Sequence, residues 1–313
     1  MQVHQHLETL PQFRKCVITI GTFDGVHRGH QKVIHSLTEE AARIGGESVL
    51  ITFHPHPRKI VNTATSLQLI NTLDEKISLL SKHGIHHLVI VPFTELFARQ
   101  SAETYIEDFL VKAFQPHTII IGYDHRFGQD RKGNFELLQQ QAARFNYRLI
   151  EIPKHLLNEI AISSTKIRTA LLESDVDTAN QLLGYPFFFN GLVVHGDEIG
   201  RTLGYPTANL QYTNNDKIHA GHGVYAATAL VKGKQFNGML SIGTRPTLAH
   251  SGEKVEINLF DFSETIYGEV LTVTIHKFLR PQEKYESMDS LKRQLAKDKE
   301  VSLKWLQTIP ASF

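Results

Sequence analysis

The strongest constraint on this chain is a change of pattern part-way along it. From Cys16 to about Pro153, short apolar β-rich runs alternate with amphipathic helical stretches, while after Gly184-Tyr185-Pro186 β-rich segments follow one another with no helix between them. Alternation of strand and helix builds a parallel sheet covered on both faces, because parallel neighbours need a crossover connection. Successive strands broken by Gly, Asn and Asp turns build an antiparallel sheet that closes into a barrel. A chain obeying both rules needs two cores, and 313 residues at about 150 per domain supplies them.

In the first half, strands are expected at 16–23, 48–53, 87–93, 117–123 and 148–152, and helices at 30–44, 73–82, 102–114 and 135–145. Thr72 and Glu75 stand at capping-box spacing before the second of these helices. The expected fold is a Rossmann-like, doubly wound α/β domain over residues 1–184. In the second half, β segments at 187–194, 223–231, 235–242, 255–262 and 270–277 make an antiparallel β-barrel over residues 185–313. Leu291, Leu295, Val301, Trp305 and Leu306 give the stretch from Met288 to about Gln307 one apolar stripe, that of a helix closing the barrel.

Charge and cysteine content narrow the function. Lys plus Arg (33) against Asp plus Glu (32) leaves +1, so no net basic field draws in nucleic acid or an anionic membrane. Cys16 is the single cysteine, which excludes an intrachain disulfide and a multi-cysteine zinc site. Met1 to Lys15 is polar and has no apolar signal core, and the apolar runs are strand-sized. The expectation is a cytoplasmic protein acting on small molecules, with no nucleic-acid or membrane partner; an oligomer is compatible but not indicated. The 18 histidines include no His-Glu-x-x-His pair.

Three polar, glycine-punctuated segments follow strands or open helices in the first half. Gly21-Thr22-Phe23-Asp24-Gly25-Val26-His27-Arg28-Gly29-His30 leaves the first strand. Glycines there permit close backbone approach, a helix N-terminus offers unpaired amides, and His27 and His30 share a helical face. Taken alone, the two histidines read more readily as helix caps. Ile162-Ser163-Ser164-Thr165-Lys166-Ile167-Arg168 opens another helix, either as an anion site or as a plain capping cluster. Gly122-Tyr123-Asp124-His125-Arg126-Phe127-Gly128 follows a further strand.

Together with Thr52-Phe53-His54-Pro55-His56-Pro57, these segments resemble, in order, the His-x-Gly-His nucleotidylyltransferases and specifically the FAD synthetase branch. His125 departs from that pattern, which usually has phenylalanine there. The resemblance implies that FMN phosphate attacks the α-phosphorus of ATP and releases pyrophosphate. It implies His27 and His30 at the α-phosphate and Ser163, Ser164, Thr165 and Arg168 at the pyrophosphate side. Gly21, Phe23, Asp24, Gly25 and Asp124 would border the nucleotide, Arg126 would lie toward the flavin, and Mg2+ would bridge phosphate oxygens.

The second half opens with Gly196, Gly200-Arg201-Thr202-Leu203-Gly204-Tyr205-Pro206-Thr207-Ala208-Asn209, a glycine-rich stretch ending in hard oxygen donors that suit a magnesium nucleotide. Taken alone, an ordinary turn is the better explanation. Alternation in Val255-Glu256-Ile257-Asn258-Leu259 puts Glu256 and Asn258 on the face opposite the apolar residues. With Gly243-Thr244-Arg245-Pro246-Thr247 and Phe278-Leu279-Arg280, these segments resemble the riboflavin kinase module. That resemblance implies Glu256 as general base toward the ribityl 5′-hydroxyl of riboflavin, and Thr207 with Asn209 as metal ligands. It also places Gly196, Gly200 and Arg201 at the phosphates, and Asn258 and Arg280 at the flavin. Two rivals stand beside this bifunctional reading: transfer of a nucleotidyl group to another phosphate acceptor, and a flavin- or nucleic-acid-binding protein without catalysis.

Overall fold

The computed structural model describes residues 1–61, 67–153, 162–196, 200, 203–244 and 253–309. By internal contacts the chain divides into two compact units, Met1–Ser163 and Ser164–Phe313.

The first unit is built on one parallel sheet. Its strands are β1 (Gln2–His4), β2 (Val17–Ile20), β3 (Ser48–His54), β4 (His87–Pro92), β5 (Thr118–Gly122) and β6 (Arg148–Ile152), in the order β1-β4-β3-β2-β5-β6. Val17, Ile18, Val49, Leu50, Leu88, Val89, Ile119 and Ile120 are all wholly buried, as all-apolar strands covered on both faces require. The five expected strands are present. β1 is an additional polar edge strand, paired with β4 at Gln2–His87 to His4–Val89.

The helices of this unit are α1 (Arg28–Ile44), α2 (Pro57–Val61), α3 (Leu73–Ser81), α4 (Glu95–Ala98), α5 (102–114, π-helical over Tyr105–Val111) and α6 (Phe135–Phe145). The capping box of α3 forms as read: Glu75 N donates to Thr72 Oγ1 at 3.3 Å and Thr72 N to Glu75 Oε2 at 2.9 Å. β2 has β3 on one side and β5 on the other, so the winding reverses between β2 and β5. In open parallel sheets, ligands bind beyond the carboxyl ends of the strands at that reversal. The loops leaving those two ends are residues 21–27 and 123–134.

The second unit is a closed antiparallel barrel. It comprises β7 (Phe188–Val194), β8 (Ala208–Tyr212), β9 (Gly223–Val231), β10 (Lys234–Thr244), β11 (Glu253–Leu259) and β12 (Val270–Arg280), in the order β10-β11-β8-β7-β12-β9 with β9 paired back to β10. Lys232 (φ +48°) and Gly233 (φ +81°) make the tight turn between β9 and β10, the conformation a two-residue hairpin needs. β8 is the strand that sequence pattern did not separate from the turn before it. Residues 164–184, expected with the first domain, group by contact with the barrel. There they form α7 (Ser164–Leu172) and α8 (Val176–Leu183), and Asn180 fastens them: its Oδ1 accepts from Phe187 N at 2.7 Å and its Nδ2 donates to Ile275 O at 3.1 Å. As expected, a helix, α9 (Met288–Leu306), packs against the barrel, burying Asp298, Ser302 and Leu306. Among the described residues no helix is long and apolar enough to cross a membrane.

Two candidate nucleotide sites

The loop after β2 is held in conformations that side chains seldom adopt. Phe23 (φ +47°), Gly25 (φ +88°) and Val26 (φ +36°) are left-handed, and for a β-branched valine that is strained. Four side chains fasten the loop. Asp24, 1% exposed, accepts on Oδ1 from Ile70 N (3.0 Å) and Asn71 N (3.3 Å). Thr52 Oγ1 (3.1 Å) and Lys76 Nζ (2.7 Å) both donate to Thr22 O, and Gln31 Nε2 donates to Val26 O at 2.8 Å. Asp24 is thus tied into the segment leading to α3, whatever else it does toward a nucleotide.

At the end of this loop His27 is the N-cap of α1. Its Nδ1 accepts from His30 N at 3.3 Å, which puts the ring proton on Nε2. The two imidazoles stack at 3.6 Å and 15°, and Phe23 lies 5.0 Å from His30. Capping and anion binding are therefore not alternatives here: one nitrogen of His27 caps the helix while the stacked pair stands at its amide-rich end. His30 Nδ1 is buried with no hydrogen-bond partner among the described residues. Burial, together with the charges of His27 and Lys76, holds the His30 imidazole well below the usual histidine range, so it is neutral at pH 7.

After β5, Phe127 is buried, bridged to Gly133 and stacked at 4.9 Å on Tyr105. His125 lies 5.7 Å from Phe127 with the rings nearly parallel, and burial lowers its pKa to about 4. A neutral aromatic ring thus occupies the position where the family pattern has phenylalanine, with its Nε2 buried and without a hydrogen-bond partner among the described residues. Asp124 and Arg126 are exposed on the same loop. Ser163 ends the first unit; Ser164, Thr165 and Arg168 lie in the first turns of α7, with Ser164 and Arg168 one turn apart on one face.

In the barrel, register brings the second set together. Glu256 on β11 stands directly opposite Asn209 on β8 and Ser241 on β10, so the three side chains share a face. Lys254, two residues back, contacts Glu256 Oε1 through its Nζ at 2.5 Å. A Cβ at Gly196 would fall 1.9 Å from Asn209 Nδ2, and one at Gly200 would fall 2.3 Å from Tyr205 O and 3.2 Å from Thr207 Oγ1. A side chain at Gly196 would thus displace the Asn209 amide, and one at Gly200 would strike the Tyr205 carbonyl two residues before Thr207. Asn258 Nδ2 donates to Pro206 O at 2.6 Å, fixing the residue before Thr207. Arg201 and 245–247 lie outside the described residues.

Arg280 has another partner. Its Nε and Nη2 engage the carboxylate of Asp298 at 3.0, 3.1 and 2.7 Å, and Asp298 is 3% exposed. The pair clamps the end of β12 to α9.

Residues 10–166 match the family model described as FAD synthetase, and residues 183–306 the one described as riboflavin kinase. A relative from Escherichia coli named bifunctional riboflavin kinase/FMN adenylyltransferase is 36% identical over 294 residues, 94% of this chain and 93% of that protein. The chain belongs to the bifunctional riboflavin kinase/FMN adenylyltransferase family. A relative of the same name from Bacillus subtilis is 35% identical over 98% of this chain and 97% of its own length. A crystal structure titled as a macrolide-efflux protein from Streptococcus pneumoniae superposes with a TM-score of 0.88 at 31% identity, covering 97% of this chain and 98% of that one. That similarity establishes the fold over nearly the whole chain, and the word efflux belongs to that protein's title.

With the family in place, the residues that sequence reasoning missed can be named. Lys76, Asn71 and Gln31 support the FAD synthetase loop, Lys254 contacts Glu256 in the riboflavin kinase barrel, and Asp298 holds Arg280. Lys76 alone left a signal: it precedes Leu79 and Leu80 by three and four residues, in the middle of the apolar stripe of α3.

Proposed function

We propose that the barrel phosphorylates riboflavin at the Glu256 face and that the first domain adenylylates the resulting FMN at the His27–His30 loop. The observation that supports the assignment best is the cross-strand pairing of Glu256 with Asn209, with Gly196 packed against the Asn209 amide and Gly200 against the Tyr205 carbonyl beside Thr207. In the kinase reaction, the Glu256 carboxylate accepts the proton of the ribityl 5′-hydroxyl, whose oxygen bonds to the γ-phosphorus of ATP as ADP leaves. Placement rather than basicity governs such a base, because the transition state of phosphoryl transfer is loose. Thr207 Oγ1 and the Asn209 amide oxygen are hard donors backed by glycines, a set that fits Mg2+. When bound, the ion neutralises charge on the phosphate oxygens. Gly196 and Gly200 give the backbone its approach to the phosphates, a role the family resemblance extends to Arg201, and Asn258 holds the Pro206 carbonyl so that Thr207 keeps its position. Arg280 acts at the flavin end through its clamp on α9.

In the second reaction, an FMN phosphate oxygen bonds to the α-phosphorus of ATP and pyrophosphate departs, with no covalent enzyme intermediate. Catalysis is then positioning and electrostatics. His27 offers its Nε2 proton and neutral His30 a single N–H, while the α1 N-terminus adds amides. Ser163, Ser164, Thr165 and Arg168 serve the pyrophosphate, so we draw the functional division at 1–184 and 185–313 although residues 164–184 pack with the barrel. Both reactions consume ATP, which accords with a cytoplasmic place. Incubation of the enzyme with riboflavin and magnesium ATP, followed by chromatographic separation of flavins, tests the proposal: FMN and then FAD appear, and a riboflavin peak that stays unchanged contradicts it.

A further inference from the structure

Lys76 is a lysine where α3 calls for an apolar residue. It is 6% exposed, flanked on its buried face by Leu79 and Leu80. Among the described residues its ammonium has one hydrogen bond, to Thr22 O at 2.7 Å, and no carboxylate within salt-bridge distance. An ammonium carries three donors, and burying one without a paired anion is costly. The site of that cost is informative. The loop of residues 22–27 is the strained segment after β2, and it is clasped to α3 in both directions: Asp24 Oδ1 accepts from Ile70 N and Asn71 N, while Lys76 returns to Thr22 O. The charge also lies on the side from which it acts on His30, whose Nδ1 has no partner among the described residues.

We infer that Lys76 is a positioning residue of the adenylylation site, which clasps the Thr22 carbonyl to set the loop that carries the His27–His30 pair and holds a fixed positive charge at that loop. The inference rests on the reading that this loop binds substrate phosphates. The charged and titratable groups acting on His30 are His27 from the start of α1 and Lys76 from α3, and Asp24 in the loop acts in turn on Lys76. The Lys76 ammonium opposes protonation of His30, and so does any charge placed on the stacked His27 ring. Near neutral pH His30 therefore meets an anion as a neutral donor, and Lys76, fixed on the Thr22 carbonyl, adds a positive charge to the loop.

The test uses the full-length enzyme with Lys76→Met, Lys76→Arg and His30→Ala. Lys76→Met is expected to lower kcat for adenylylation of supplied FMN about 10- to 100-fold, with a smaller change in KM and with riboflavin kinase activity retained as the control for folding. In the absence of nucleotide, the His30 imidazole titration followed by NMR is expected to move to higher pH once the opposing charge is gone, and the acid limb of the adenylylation profile to move up with it. Lys76→Arg restores both pH readouts. Wild-type adenylylation in Lys76→Met, or loss of activity with the His30 titration and the pH profile unmoved, overturns the inference. Full adenylylation by His30→Ala would instead overturn the reading of the site on which it rests.

Discussion

The substitution Gly196→Ala puts the riboflavin kinase geometry to a quantitative test. The added methyl carbon would fall 1.9 Å from Asn209 Nδ2, 2.3 Å from Cγ and 2.7 Å from Oδ1, so the whole amide must retreat. Reaching ordinary contact near 3.4 Å means a displacement of about 1.5 Å. The glycine has no left-handed φ, so the backbone tolerates alanine, and the obstacle is the end of a side chain free to rotate away. The fold should survive while the oxygen of Asn209 leaves its place. A misplacement of about 1 Å costs on the order of 100-fold in rate, or about 2.7 kcal/mol in transition-state stabilisation. Riboflavin kinase kcat/KM is therefore expected to fall about two orders of magnitude, while adenylylation of supplied FMN is unchanged; both are read by chromatography of the flavins. Gly233→Ala serves as the comparison: at φ +81° with nothing within 4 Å of the new methyl, it strains a turn far in sequence from the proposed ligands and leaves kinase activity intact. Full kinase activity in Gly196→Ala would refute the assignment of Asn209.

The Arg280–Asp298 clamp predicts that Asp298→Ala lowers stability by about 3–5 kcal/mol, since it strands a largely buried guanidinium; urea denaturation that differs little from wild type would show the pair to be dispensable. His276 predicts acid sensitivity. Burial lowers its pKa from 6.5 to about 4, its Nε2 sits 2.9 Å from Thr228 Oγ1, and it is 7% exposed. Below pH 6.5 the unfolded chain takes up a proton that the folded chain does not, so stability falls as pH drops through the window from 6.5 to about 4. At pH 5 that amounts to about 2 kcal/mol relative to pH 7.5, and His276→Gln should flatten the pH dependence of the urea midpoint; an unchanged slope would contradict it.

The two architectures were legible because their signals are local. Wholly apolar runs such as Leu88–Val91 can lie only inside a doubly covered sheet, and the sequence Val255–Leu259 alternates as a barrel strand does. β1 escaped because three polar-edged residues, Gln2–His4, owe their strand character to pairing with β4 and not to their own pattern. β8 escaped because Ala208–Tyr212 continues a Gly-Tyr-Pro turn and is a strand through its bonds to β7 and β11. At the sites, the family resemblance of the motifs marked His27, His30, Thr207, Asn209 and Glu256, where spacing alone left caps, a turn or a solvated strand face as readings. It did not reveal that His27 caps its helix, that Asn258 holds Pro206, or that Arg280 is committed to Asp298, 18 residues away on another element. Such partnerships are properties of register and packing, which a single sequence does not display. Residues 164–184 illustrate the same limit: their helices are legible, but the Asn180 bonds that fasten them to the barrel are not.

The account stands on two pockets in one chain, each acting alone on the flavin. The direct measurement is a paired one: purified Glu256→Ala and His30→Ala are each given riboflavin with magnesium ATP and, separately, FMN with magnesium ATP. Glu256→Ala should make no FMN yet convert supplied FMN to FAD, and His30→Ala should make FMN and stop there. If either single substitution abolishes both conversions in a protein that remains folded, the two sites are not separate and the account fails.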